Sequence, residues 1–396
     1  MTGPIQSLTE LLERASARRF LQAPAAEDLG LAEQPPYPFL ALVGQTEMRL
    51  ALLLTLINSA VGGVLLLGPR GTGKTTAVRS LGDLLPDVPR SRCPQGCLPE
   101  DVAAGGIDAV CPDCAQRFAE GEPLTYTDRV RLVELPLNSR LEDVIGGLDE
   151  RAAVHDRLRL NRGLLSRADQ NILYVDEVNL LAEDIANAIL DAAAQGTYTV
   201  HRGPLAATYR ARFILIGSMN PEEGGLRPQI LDRFGLRVVV RGLTEAQDRL
   251  EAYRRSTAYR RGPQHFSREY AETTQLLREE IEAARNKLAS VRLHGDAEAY
   301  GLNLVQALGI DSLRAEISLF ESAKAYAAAD GRDETSIEDI AKIAPMALRL
   351  RRSKFMRDYM AAQGQEEAEL AALLSAKGLP AKPRTSPVRK SSRRRA

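Results

Sequence analysis

Val64-Leu-Leu-Leu-Gly68-Pro-Arg-Gly-Thr-Gly73-Lys74-Thr75-Thr76 decides how the rest of the chain is read. Its first four residues are a short continuous apolar run, the pattern of a buried parallel strand. The next eight match the phosphate-loop spacing G-x-x-x-x-G-K-[ST], and the chemistry explains the residue types. Glycines at 68, 71 and 73 let backbone amides turn inward around a phosphate, while Lys74 reaches the terminal phosphoryl oxygens and Thr75 offers a hydroxyl to Mg²⁺. A helix opening near Lys74 adds its positive dipole end to the same anion. Gly68, Pro69, Arg70, Gly71, Thr72, Gly73, Lys74, Thr75 and Thr76 are therefore the candidate nucleotide-binding residues.

Further along the chain, Ile172-Leu-Tyr-Val-Asp176-Glu177 is a second apolar run, ending in two acids. Asp176 at a strand end suits Mg²⁺ or its water shell, and Glu177 suits the base that orients and deprotonates an attacking water. A third run, Phe213–Ile216, leads to Asn220-Pro221, where Asn220 is placed to sense a γ-phosphate or to form an Asn-Pro turn. Arg233 follows in Arg227-Pro-Gln-Ile-Leu-Asp-Arg233, read either as a permanent cation offered to a neighbouring subunit's nucleotide or as a surface ion pair with Asp232. From about 39 to 242 apolar runs alternate with helical patterns, which predicts a parallel α/β sheet. From about 243 to 360 the pattern turns helical: Tyr270–Leu288, Ala299–Leu308, Ser312–Ala329 and a capped helix at Ser336–Leu350. Residues 1–35 read as a leader, and 361–396 as a helix passing into a disordered tail.

Charge and composition set limits. The chain has 396 residues with 52 Lys+Arg against 52 Asp+Glu, yet eight of the positive charges and no acid lie in 377–396. Residues 1–376 keep 44 against 52, a net charge of −8, which speaks against a nucleic-acid-lined body. Leu50–Pro69 is twenty residues without a charge, but Asn58-Ser59 and Gly62-Gly63 split it into a helix and a strand, so no membrane span is expected. With no apolar secretory segment at the N-terminus, the chain reads as cytoplasmic. Its four cysteines, Cys93, Cys97, Cys111 and Cys114, have C-x₃-C-x₁₃-C-x₂-C spacing, close to a four-thiolate structural Zn²⁺ site, with free or redox-active thiols as the alternative.

These pieces in this order resemble the AAA+ ATPases, and closely their magnesium-chelatase branch, the small ATPase subunits (subunit I). The resemblance runs from about 36 to 352 and rests on Phe39–Gln45, Gly62–Arg79, Gly163–Ala168, Leu173–Leu181, Ala211–Gly224 and Leu226–Gly235. It implies an AAA+ P-loop ATPase domain at 36–242, with insertion hairpins at about 93–150 and 197–210, followed by an all-α lid at 243–360. It implies ATP and Mg²⁺ as ligands. Lys74 and Thr75 would be the Walker A pair, Asp176 and Glu177 the Walker B pair and Asn220 sensor 1. Arg233 would be the arginine finger, and Arg314 sensor 2, reaching the nucleotide from the lid; Val43, Gly44 and Gln45 would border the adenine. Family members form hexameric rings with an integrin-domain AAA+ subunit, and their ATP hydrolysis drives Mg²⁺ insertion into protoporphyrin IX held by a large separate subunit. A remodelling ATPase with another client, a nucleic-acid motor and a non-hydrolysing switch are the competing readings; Glu177 argues against the last.

Overall fold

The computed structural model describes residues 35–93, 95–147, 160–203, 205–225 and 227–352, with 369 and 372. The leader through residue 34 and the basic charges of 377–396 lie outside the described residues. In chain order the strands are β1 (Val64–Leu67), β2 (Val88–Ser91), β3 (Thr125–Asp128), β4 (Leu132–Leu135), β5 (Ile172–Val175), β6 (Thr197–Arg202), β7 (Leu205–Arg210), β8 (Ile214–Met219) and β9 (Leu236–Val239). Five of them form one parallel sheet in the order β4-β5-β8-β1-β9, with Val64 opposite Ile216 and Leu236, and Ile172 opposite Ile214 and Leu132.

Strand alternation sends side chains to two cores. Leu65, Leu67, Leu173, Val175 and Leu215 pack with Ile185 and Ile189 of the helix Glu183–Gln195. Val64, Leu66, Ile172, Tyr174 and Ile216 pack on the other face with Leu52 and Leu56 of the helix Thr46–Ile57 and with the helical region beyond residue 245. That region comprises the helices Ala246–Arg261, Pro263–Glu269, Ala271–Leu288, Gly295–Ala307, Arg314–Ala329 and Ile337–Leu348. The last begins as its sequence implies: Ser336 Oγ accepts from the Asp339 amide at 3.3 Å, and Asp339 accepts from the Ser336 amide at 2.7 Å.

The third apolar run is longer than expected and shifted, Ile214–Met219 in place of Phe213–Ile216. Gly217 and Ser218 look like turn residues, yet Leu65 and Leu66 of β1 pair with them. A Cβ on Gly217 would lie 2.8 Å from Phe234 and Val178, so the glycine is set by packing. Leu132–Leu135 falls inside the span allotted to the first insertion but is the edge strand of the main sheet. The insertion proper is the antiparallel pair β2–β3, with the cysteines between them, and the second insertion is the antiparallel hairpin β6–β7. Among the described residues no helix is long and apolar enough to cross a membrane.

Candidate functional site

Parallel strands deliver their following residues to one rim of the sheet. The loop after β1, the acids after β5 and Asn220 after β8 therefore meet at the carboxyl ends of three adjacent strands. Gly68 donates its amide to Met219 O at 3.1 Å, beside Asn220. A Cβ on Gly68 would lie 2.1 Å from Val240 O, so only glycine allows this approach. Gly71 and Gly73 sit at φ +78° and +85°, the left-handed region that side chains avoid, and leave open space above the loop. The helix Lys74–Arg79 starts directly behind them. Lys74 Nζ donates to the Gly68 and Pro69 carbonyls at 2.8 Å each, and Thr72 Oγ1 donates to Pro69 O at 3.0 Å. Burial lowers the Lys74 pKa, opposed by the carboxylates of Asp176, Glu223 and Glu177.

Thr75 and Asp176 are joined through one phenol. Thr75 Oγ1 lies 3.2 Å from Tyr174 Oη, which donates to Asp176 Oδ1 at 3.0 Å, and Ser218 Oγ donates to the same carboxylate oxygen. A hydroxyl and a carboxylate converging beside the phosphate loop form a hard oxygen donor set that fits the Mg²⁺ accompanying a nucleotide. Glu177 holds φ at +51°, a left-handed value that aims its side chain out of the strand direction. Arg70 pairs with Glu177 at 3.2 Å and with Glu223 at 2.6 Å. Asn220 Nδ2 donates to Glu223 Oε1 at 3.1 Å, completing a chain of polar contacts from Glu177 through Arg70 and Glu223 to Asn220. Gln45, also left-handed at φ +51°, donates Nε2 to Arg241 O at 2.6 Å, so Val43-Gly44-Gln45 lies against the strand end beside Gly68.

Two expected participants are elsewhere. Arg233 and Arg314 line a single cavity with Gly62, Gly63, Phe213 and Ile214, at the amino ends of the strands. The four residues of β1 separate the two rims by about 13 Å. Arg314 therefore lies at the rim away from this chain's own phosphate loop. Arg314 Nη1 is held by Asp232 Oδ2 at 3.1 Å. Arg233 pairs with Asp191 rather than with its neighbour Asp232. Asp232 instead also accepts from Ser312 at 3.0 Å and from Arg351 at 3.2 Å. Arg351, whose side chain is fully buried, further donates to Gly235 O at 3.0 Å and Ser318 Oγ at 3.1 Å.

Sequence reasoning passed over Tyr174, Ser218, Glu223 and the pairing role of Arg70. Tyr174 reads as an apolar strand residue and Ser218 as a turn residue. Glu223 carried a signal, the Asn-Pro-Glu-Glu-Gly run, but not its partner.

A phosphate loop, two strand-end acids and an asparagine on the strand between them meet at one rim, the arrangement expected of an AAA+ nucleotide site. The family model "Magnesium chelatase, subunit ChlI" matches residues 149–245, and "AAA lid domain" matches 300–373. A magnesium-chelatase subunit ChlI homolog of Methanocaldococcus jannaschii is 42% identical over 323 residues, 81% of this chain and 87% of that protein. The chain belongs to the magnesium-chelatase ATPase-subunit family. The magnesium-chelatase 38 kDa subunit of Acidiphilium rubrum is 40% identical over 341 residues, covering 86% of this chain and 97% of that protein. A chain in a BchI–BchD magnesium chelatase complex built on a cryo-EM reconstruction is 38% identical, covering 82% of this chain and 99% of that one, with a TM-score of 0.45. As a member of the family, the protein is an AAA+ ATPase subunit of the magnesium-chelatase type.

Proposed function

We propose that the chain is the ATP-hydrolysing motor subunit of a cytoplasmic chelatase that inserts Mg²⁺ into protoporphyrin IX, in (bacterio)chlorophyll biosynthesis. It works in a ring of its own copies, hexameric in the family's manner, with an integrin-domain AAA+ subunit and a large porphyrin-binding subunit. The observation that carries this reading is the division of the site between two rims. A subunit whose phosphate loop and catalytic acids are at one end of the sheet, and whose candidate trans arginines are at the other, has a complete site only where two copies meet. The relatives, magnesium-chelatase subunits, support the client.

Within one subunit the amides around Gly71 and Gly73 and the Lys74 ammonium bind the phosphates. Thr75 and Asp176 would hold the nucleotide's Mg²⁺, which would supply charge stabilisation to the transferred phosphoryl group. Glu177 takes the proton of the attacking water, Asn220 positions that water, and Val43, Gly44 and Gln45 border the adenine. Arg233 of the adjacent copy stabilises the γ-phosphoryl, with Arg314 on the same face. The division near residue 242 separates the nucleotide-binding part from the lid.

The test is Mg-protoporphyrin IX formation with purified partner subunits of both kinds. ATP-dependent product from the complete set, absent without this chain, is the expected result. ATP hydrolysis without any product from the complete set would refute the client.

A further inference from the structure

Between β2 and β3 lies a small core of its own, with Cys93, Cys97, Cys114 and Leu124 buried and Val102, Val110 and Cys111 packed around them. One buried leucine and two half-buried valines are little hydrophobic core for a segment this long, the situation in which small folded units rely on a cross-link or a structural metal. The four cysteines are not in disulfides. Their sulfurs all lie within 4.8 Å of one another. Four thiolates around Zn²⁺ at about 2.3 Å stand about 3.8 Å apart, so a small tightening of this cluster gives a tetrahedron.

The backbone is arranged for charged sulfurs as well. The Cys97 amide donates to Cys93 Sγ and the Cys111 amide to Cys97 Sγ, each at 3.3 Å, and Ser91 Oγ lies 3.3 Å from Cys93 Sγ. Such contacts offset the charge of a thiolate and fix the ligand's direction.

A second observation shows what the cluster anchors. Arg210, on the last residue of β7, donates Nη1 to the carbonyl of Gly96, in the turn between Cys93 and Cys97, at 3.1 Å. Its other nitrogen pairs with Asp101, at the start of the helix Pro99–Gly105. The first insertion is therefore fastened to the second through the residues that the cysteines fold.

We propose that Cys93, Cys97, Cys111 and Cys114 bind one structural Zn²⁺ as a tetrathiolate, and that this site, through Arg210, holds the β6–β7 hairpin in position. The test uses the full-length chain and no activity readout, so it is independent of the chelatase reading. Metal analysis gives about one zinc per chain for the wild type and less than about a tenth of that for Cys114→Ser. Because the serine variant could fail to fold, wild-type protein is also loaded with Co²⁺, which yields the intense visible absorption of a tetrahedral thiolate site. Protein prepared with ample zinc that holds none, or wild type that gives no cobalt spectrum, overturns the metal site. Stripping the zinc with a chelator, or Arg210→Ala with zinc retained, raises amide hydrogen exchange in 197–210 by about tenfold or more. Unchanged exchange in both overturns the coupling.

Discussion

The two rims of the parallel sheet are built on opposite principles. At the carboxyl rim, glycines at positive φ, a half-buried lysine and two acids on strand ends leave open space in front of polar groups. At the amino rim, Asp232 gathers Arg314, Arg351 and Ser312 into closed pairing, and Arg237 is 1% exposed with its guanidinium donating to Arg349 O at 2.9 Å. Burial lowers the Arg237 pKa to about 9. One rim leaves space in front of its polar groups; the other holds Arg233 and Arg314 on the carboxylates of Asp191 and Asp232. The contrast teaches that cations proposed to meet another copy's phosphate are positioned by their own subunit's carboxylates, since that phosphate cannot position them.

The strongest way to break the comparison is Arg233→Ala. If the amino rim serves a neighbour, hydrolysis in assembled rings falls by about 10³–10⁵-fold, and mixing with Lys74→Ala subunits restores part of it. Steady-state phosphate release in the mixture measures this, and failure to complement would place both functions in one subunit. Next comes Glu177→Gln, expected to slow turnover by about 10²–10⁴-fold while nucleotide affinity stays within a few-fold. Equal loss of binding and turnover would move Glu177 from water activation to ligand holding. At the frame, Asp232→Asn leaves the buried Arg351 without its carboxylate and destabilises the protein by about 2–4 kcal/mol, read as a lower denaturant midpoint. A shift within error would mean that the carbonyls around Arg351 suffice. The smallest effect is that of deleting 377–396, with ATPase activity within about twofold of the full chain. The eight charges removed lie beyond the expected family match, and surface charge away from a site changes little.

The parts legible in the sequence are those whose chemistry is local. Val64–Leu67 and Ile172–Val175 form the expected strands because four consecutive apolar residues can be buried on both faces only there. The phosphate loop, the strand-end acids and the cysteine cluster are fixed by spacings of a few residues. Strands β4 and β9 stayed hidden because Glu134 and Arg237 interrupt their apolar runs: Glu134 pairs with Arg79 at 2.7 Å at the sheet edge, and Arg237 is paid for by partners 6 and 112 residues away. The helix Ala246–Arg261 has no buried residue and hence no apolar stripe to read. The roles of Asp232 and Arg210 depend on contacts across 82 and 109 residues, which no local pattern encodes.

Asp232 has one more consequence, because Arg233 is the next residue of the same short helix. The carboxylate that ties down Arg314, at the start of the lid helix Arg314–Ala329, and Arg351, where the chain leaves the lid, sits one peptide bond from the arginine proposed to serve the neighbour. Lid and short helix are thus hinged on one carboxylate, and in the proposed ring a tilt of the lid would be transmitted to Arg233 across a single peptide bond.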